Sequence, residues 1–394
     1  MAKQNGPRPL AGFRVVEFAH NVAGPLAGQV LADLGAEVIK VEAPEGDAAR
    51  RIVSLLPGRR PLATYFLPNN RGKKSVALDL RVPENRQQVL RIIDEADVLL
   101  EAYRPQVMEQ LGLGPEVLQA RNPKLVYARL CAYARSGSGA GRPGIDMMVQ
   151  TEAGMTSGLR NEDGSPQLIP FQLVDNACGH VLAQAVLAAL LNRERHGVTD
   201  IVEVSMYDVA ISLQANQLAL HMNRAKLPSA GECAPAKPRA RRPFVFATQP
   251  SAPFKAADGY LVLAAYVPKH WRRLTEVLER ADLLEDPRFV DQTRRTMNFD
   301  ALKAELEKTF ASRTAQEWVA RLQEAGLMAS LPLRWKDVVR SQVFADNALA
   351  VSVLDGEQKV EVVRTPARYH TFEAVAKGRV PQLGSHNQEL LERE

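Results

Sequence analysis

The stretch 13-FRVVEFAHNVAGPLAGQVLADLGAEVIKVE-42 reads as strand, loop, helix and strand. Its outer runs, 13-FRVVEF-18 and 37-EVIKVE-42, are short, apolar and rich in β-branched residues, as buried strands are. Between them 25-PLAGQVLADLG-35 spaces its apolar residues helically, with Pro25 suited to a first turn. A helix that joins two strands in so few residues makes them parallel neighbours of one sheet. The connecting loop, 19-AHNVAGP-25, then lies at the carboxyl end of a strand and at a helix N-terminus, where free N–H groups and the helix dipole favour anions.

The pattern continues outward. Strands are expected at 75-SVALDL-80, 97-DVLLEAY-103 and 125-LVYARLCAY-133, with a helix at 83-PENRQQVLRIIDEA-96. Alternation of this kind predicts an α/β fold with a Rossmann-like, open parallel sheet. A long helix follows from about residue 175 to 193, then a strand at 200–206 and a helix over 207–224. Composition shifts to Pro, Ala and basic residues at 225-AKLPSAGECAPAKPRARRPF-244, which reads as a linker. Beyond it, Asp258-Gly259 between apolar runs signals a hairpin, and helices are expected near 269–281 and 301–326. These features divide the chain into a large domain over 1–224, a linker and small α+β domain over 225–330, and a C-terminal segment over 331–394 with a strand at 359–370 and a helix at 385–394.

Of 394 residues, 46% are apolar and 24% charged, enough to build a large core or two smaller ones. The formal charge of +5 is scattered, and no nucleic-acid recognition element accompanies it, so nucleic acid is not an expected partner. Apolar runs such as 183-AQAVLAALL-191 fall short of the roughly 20 residues of a membrane span, so no membrane segment is expected. The opening MAKQNGPRPLAGF lacks an apolar secretion segment, and a cytoplasmic location is the expectation. Three cysteines with no paired spacing argue against a disulfide framework or a zinc site.

Several residues are placed where chemistry is done. Glu42 ends the second strand where a ribose-binding acid of a dinucleotide fold would lie, but the first loop has Gly24 alone and no G-x-G-x-x-G. His20 has two readings, a base or a hydrogen-bonded ligand contact. Arg71, Lys73 and Lys74 precede one strand and Arg104 follows another, so they can converge on phosphates or simply form a solvated surface. Asp175, in 171-FQLVDNACGH-180, is either a helix N-cap or a carboxylate nucleophile, and Asp146 in 142-RPGIDMMVQ-150 shares the ambiguity. No G-x-S-x-G elbow supports a serine hydrolase.

The segments 9-PLAGFRVVEFAHNVAGPLAGQVLADLGAEVIKVEAPEGDAAR-50, 69-NNRGKKSVALDL-80, 97-DVLLEAYRP-105, 142-RPGIDMMVQ-150, 174-VDNACG-179 and 257-ADGYLVLAA-265 together resemble the class III coenzyme A transferases related to formyl-CoA transferase and carnitine CoA-transferase. The resemblance implies a homodimer of interlocked rings, a C-terminal segment that returns to the large domain, and coenzyme A as a substrate with no prosthetic group. It also implies that Asp175 is the nucleophile, carrying first an acyl group and then coenzyme A. By the same resemblance His20, Asn21, Val22 and Ala23, Asn70, Arg71, Gly72 and Lys73, Ala102, Tyr103 and Arg104, and Arg142 contact coenzyme A.

One departure bears on the substrate. Formyl-CoA transferase covers its intermediates with a run of glycines, whereas the comparable stretch here, 243-PFVFATQPSAPF-254, has none. A C4 or C5 dicarboxylate such as itaconate, citramalate, mesaconate or glutarate is therefore expected as acceptor and succinyl-CoA as donor, with Arg239, Arg241 and Arg242 for the far carboxylate and Asp146 and Gln249 as further substrate contacts. The fold also serves α-methylacyl-CoA racemases, which carry a proton-transferring His in a G-H-D motif; the corresponding residues are Gly144, Ile145 and Asp146. A non-catalytic acyl-CoA-binding protein is the remaining alternative.

Overall fold

A computed structural model describes residues 6–54, 61–159, 161, 163–223, 249–376 and 378–392. Strand β1 (Arg14–Phe18), the helix Ala23–Asp33 and β2 (Glu37–Glu42) form the expected parallel unit, with Val15 opposite Val38. With β3 (Lys74–Ala77), β4 (Val98–Glu101), β5 (Val126–Cys131) and β6 (Ile201–Ser205) they build a six-stranded sheet ordered β3-β2-β1-β4-β5-β6. Every neighbouring pair is parallel. The order reverses between β1 and β4, and in open α/β sheets the crevice outside the strand ends at such a reversal is where ligands bind.

Both faces of the sheet are covered, which is why its strands are apolar throughout. On one face Val15, Val38, Val98 and Val126 pack against Leu31 of Ala23–Asp33 and against Leu182 and Val186 of the long helix Leu173–His196. On the other, Val16, Phe18, Ile39 and Leu99 meet Val89, Ile92 and Ile93 of the helix Pro83–Asp94. The two helices on the first face approach closely because Gly179 has no side chain: a Cβ there would lie 2.8 Å from Leu26 Cβ and 2.9 Å from the Ala23 carbonyl oxygen.

The long helix has 24 residues and passes the length and hydropathy test for a membrane span, which the apolar runs alone were not expected to do. Eight of its residues are buried, seven of them in the core on the first face of the sheet, and a core helix can be as long and apolar as a membrane span. Its apolar character follows from that packing.

The chain divides into two compact units. The first holds the six-stranded sheet and takes back the chain from Ala348 onward, so the C-terminal return begins later than the boundary at 331. Residues 331–347 stay with the second unit, where the short helices Trp335–Val338 and Gln342–Asp346 follow its last strand. The second unit's sheet is antiparallel, with β7 (Ser251–Lys255), β8 (Tyr260–Ala264) and β9 (Met328–Ser330) ordered β7-β8-β9. Its core gathers Phe254, Trp271, Phe289, Phe310 and Trp318.

Three elements differ from the periodicity. The expected helix over 301–326 is two, Phe299–Phe310 and Ala315–Glu324, because Thr314 starts a new helix with a capping box to Glu317. The helix over 207–224 is likewise split into Met206–Ser212 and Ala215–Asn223, with Gln214 at the break bonded to the Ala153 and Ala210 carbonyls. The C-terminal strand is shorter than 359–370 and belongs to a hairpin of β10 (Ala350–Asp355) and β11 (Gln358–Val363), which turns at Gly356 with φ +62°. Strand β12 (Arg379–Val380) completes that small sheet beside β10.

Candidate active site

The strand ends at the reversal form a cavity of about 450 Å³. His20 enters it from the end of β1, Ala102, Tyr103 and Arg104 from the end of β4, and Arg142 from the loop before the helix Asp146–Glu152. Two groups shape the β4 end. The buried carboxylate of Glu101 accepts the Tyr103 backbone N–H at 3.0 Å, and burial pushes that carboxyl up to about 7. The Tyr103 ring lies 5.8 Å from the His20 ring and 6.3 Å from Phe18, so it fixes the shape of the wall between strands. Arg104 is exposed and has no ion-pair partner among the described residues, which suits it to a phosphate. Arg142 lies over the Tyr133 ring at 4.4 Å and pairs with Glu152 at 2.6 Å.

The first loop is pinned from beneath by buried charge. Lys40 Nζ reaches Glu17 at 3.0 Å, Asp47 at 3.0 Å and the Ala19 carbonyl at 2.6 Å. Asp47 in turn accepts the N–H of Asn21 at 3.1 Å, and Asn21 takes a left-handed φ of 64°, a conformation asparagine tolerates. Val22 and Ala23 are buried and begin the helix Ala23–Asp33. The loop backbone is thus set by side chains from β1, β2 and the turn after β2.

The other cationic group behaves differently. Lys73 is fully buried, donating to Glu17 at 2.6 Å, the Pro25 carbonyl at 2.8 Å and Asn70 at 3.2 Å, and its burial lowers its pKa to about 8. Arg71 is buried against Asp33 and the Pro68 carbonyl, while Asn70 bonds the Phe66 carbonyl at 2.9 Å. Gly72, at φ +70°, donates its N–H to the Arg379 carbonyl at 3.0 Å. The structure therefore does not bring Asn70, Arg71, Gly72 and Lys73 to the cavity that gathers His20, Tyr103, Arg104 and Arg142; they neutralise and tether the interior beside it. Glu42, the dinucleotide candidate, is also occupied, accepting from Arg50, Ser75 and the Asp47 N–H.

A second cavity of about 470 Å³ holds Asp175. Asp175 is the third residue of the long helix, and the N-cap position belongs to Gln172. The cap reading of its side chain is therefore replaced: Asp146, first residue of Asp146–Glu152, supplies the carboxylate, accepting the Asp175 N–H at 2.9 Å. Gln150, one turn on, donates to Asp146 and accepts the Ile169 N–H at 3.0 Å, which ties the cavity rim to the same helix. No donor among the described residues reaches the Asp175 carboxylate. Burial, and the negative charge of Asp146 beside it, push its pKa up to about 7. Ile145 lines both cavities, so the two adjoin at the position where a racemase would carry its histidine.

The remaining expected contacts lie elsewhere. Gln249 is fully buried in the second unit, accepting the Ser251 N–H at 2.7 Å on its side chain and a bond from Gln292 at 2.9 Å on its carbonyl. Arg239, Arg241 and Arg242 lie outside the described residues. No group of three or more His, Cys, Asp or Glu side chains among the described residues is arranged to hold a metal. Tyr65, Gln150 and Gln172 sit at the Asp175 cavity without having been foreseen. Gln150 carried a readable signal, being four residues from Asp146 on one helix face; the other two lie in aperiodic stretches.

Comparison with known proteins returns related sequences and structures. A family model described as CoA-transferase family III matches residues 10–387. The chain is 58% identical, over the whole length of both, to the probable fatty acyl-CoA transferase Rv3272 of Mycobacterium tuberculosis. It is 29% identical to the succinyl-CoA:mesaconate CoA-transferase of Haloarcula hispanica, over 97% of this chain and 96% of that one. Among solved structures, the D175A mutant of Rv3272 from Mycobacterium tuberculosis superimposes with a TM-score of 0.89 at 56% identity, covering 99% of this chain and 100% of that one.

Proposed function

The chain belongs to CoA-transferase family III, and from that premise we propose that it moves coenzyme A from an acyl-CoA donor to a free carboxylic acid through covalent intermediates on Asp175. A carboxylate oxygen of Asp175 adds to the thioester carbonyl, the C–S bond breaks, and the coenzyme A thiolate leaves with the electron pair. That thiolate then attacks the aspartyl carbonyl of the mixed anhydride, releasing the donor acid as its carboxylate and leaving an aspartyl-CoA thioester. The acceptor carboxylate repeats the first step in reverse sense, forming a new anhydride and freeing the thiolate, which takes the acceptor acyl group and restores the Asp175 carboxylate. No net proton is moved, so the sequence calls for an ionised nucleophile rather than a general base.

The observation that carries this reading is a buried carboxylate, with no donor among the described residues, in a cavity that adjoins the strand-end cavity through Ile145. A carboxylate held by strong donors is a poor nucleophile; one held away from them is a better one. Arg104 and Arg142, with His20 and Tyr103, line the place for the phosphates and the adenine of coenzyme A. Racemisation is disfavoured because Ile145 cannot transfer a proton.

The walls beside Asp175 bear on the acyl group. Ile52, Ile145, Met147, Leu168, Ile169 and Phe171 line this cavity, and no Lys or Arg does so among its described lining. An acid whose carbons next to the carboxyl are hydrocarbon fits these walls, in line with the name of the relative from Mycobacterium tuberculosis. A dicarboxylate acceptor with succinyl-CoA as donor is the second reading, favoured by the relative that acts on mesaconate. It requires a cation for the far carboxylate, such as the basic run at 239–242. A second copy of the chain is part of the proposal too, because Val181 and Leu191 leave an apolar side of the long helix open on one chain.

Incubation with hexanoyl-CoA or succinyl-CoA and a panel of acids, followed by mass spectrometry, tests the whole scheme. Asp175→Ala is expected to abolish transfer and the adduct while still binding coenzyme A. Transfer at the wild-type rate by that variant would refute the covalent mechanism, and preference for mesaconate over butyrate would favour the dicarboxylate reading.

A further inference from the structure

Beside the Asp175 cavity lies another, of about 560 Å³, and the two share three wall residues: Val22, Tyr65 and Gln172. Across that wall the Gln172 amide donates a hydrogen bond to the Tyr65 hydroxyl. The two sides differ in chemistry. Where the Asp175 side has hydrocarbon walls and no basic group among its described lining, the far side presents Gln29, Asn69, Arg71, Asn176, His180 and Arg364.

Two of these polar groups are left incomplete. Gln29 and Arg71 are 0% and 1% exposed, and Gln29 Oε1 and Arg71 Nε have no hydrogen-bond partner among the described residues. Their other atoms are engaged: the Gln29 amide donates to Asp33 at 3.1 Å, and the Arg71 guanidinium pairs with Asp33 and donates to the Pro68 carbonyl. Asp33 balances the charge of Arg71, and Arg364, which lines the same cavity, donates to the Ala348, Thr365 and Ala367 carbonyls, so what remains unbonded on Gln29 and Arg71 is one acceptor and one donor. A hydroxyl, which donates and accepts at once, complements that remainder; a second carboxylate, which only accepts, does not. Buried polar atoms without partners are costly, so a group that completes them is bound with preference.

Resting on Asp175 as the acyl carrier, we propose that the Tyr65–Gln172 pair is a specificity gate between an apolar acyl chamber and a polar chamber, and that a carboxylic acid with a hydroxyl at its far end places that hydroxyl in the polar chamber. With the pair closed, the enzyme favours acids that end in hydrocarbon. Breaking the hydrogen bond opens the wall and shifts the preference.

The test compares kcat/KM for hexanoate and 6-hydroxyhexanoate as acceptors within each enzyme, so that any loss of folded protein cancels in the ratio. Tyr65→Phe and Gln172→Met, which break the bond from opposite sides, are each expected to raise the ratio for the hydroxy acid by about fivefold, the scale of one neutral hydrogen bond. Adding Gln29→Leu to Tyr65→Phe is expected to remove that gain. A ratio unchanged in both single variants, or a gain that survives Gln29→Leu, overturns the gate. The acyl adduct on Asp175 of the wild-type enzyme is measured alongside: its absence sinks the covalent reading, whereas its presence with a flat ratio sinks the gate alone.

Discussion

Asp175 and Asp146 are two carboxylates with divided tasks. Asp146 gives both of its oxygens to donors, the Gln150 amide and the Asp175 N–H, so it is committed to structure. Asp175 receives no donor among the described residues, and burial and its neighbour raise its pKa to about 7. Replacing Asp146 by Asn keeps an acceptor for the Asp175 N–H but removes the negative charge. The acid limb of the pH–rate profile for transfer, near 7 in the wild type, is therefore expected to move to lower pH in Asp146→Asn, measured as kcat/KM against pH; an unmoved limb would mean that another group governs it. The same raised pKa links to stability. Native Asp175 binds a proton that the unfolded chain has already lost between the ordinary carboxyl value of 3.8 and about 7. Its contribution is therefore complete below that window and is lost as the pH rises through it, a loss on the order of a few kcal/mol. Asp175→Asn abolishes the titration, so the variant is expected to resist urea better than the wild type at pH 8 and equally near pH 4. A wild-type advantage at pH 8 would show that the carboxylate is stabilised by something the geometry lacks.

At the level of elements, the site depends on how closely the helix Ala23–Asp33 and the long helix approach, since one begins at the first loop and the other carries Asp175. Gly179 sets that approach. Gly179→Ala places a methyl group against Leu26 and against the Ala23 carbonyl, which cannot move without its helix. Overpacking of this sort costs about 1–3 kcal/mol, seen as a lower urea midpoint, and the transfer rate is expected to fall further than the folded fraction because Asp175 shifts with its helix. The strands around this pair were legible in sequence because buried parallel strands are unbroken apolar runs, and runs that short, bounded by turns, form little else. The cations were less legible. Lys73 and Arg71 read equally well as phosphate ligands, and only the folded chain reveals that Glu17, 56 residues earlier, and Asp33, 38 residues earlier, are buried beside them. A sequence shows how many charges there are but not which acid will share the interior with which base. Tyr65 and Gln172 escaped notice for a related reason: each lies in a stretch without period, and they meet across 107 residues.

For the molecule as a whole, the long helix sets a constraint that the described residues of one chain do not satisfy. A helix with apolar residues beyond its core-facing stripe needs cover for those as well. Here one face is in the core, while Val181 and Leu191 remain open at 37% and 55% exposure. The helix Ala215–Asn223 of the same unit likewise buries none of its own residues and leaves Leu220 and Met222 open. One event accounts for two such surfaces on one unit, the association of two chains that cover each other, and symmetric pairing is the commonest way for a chain to do so. Sedimentation equilibrium is therefore expected to return twice the chain mass of 43.4 kDa. Leu191→Glu together with Leu220→Glu is expected to shift the protein toward the mass of one chain, or to leave it insoluble if the pairing is needed for folding. A single-chain mass for the wild-type protein would show that these apolar sides are left to solvent or to a different partner.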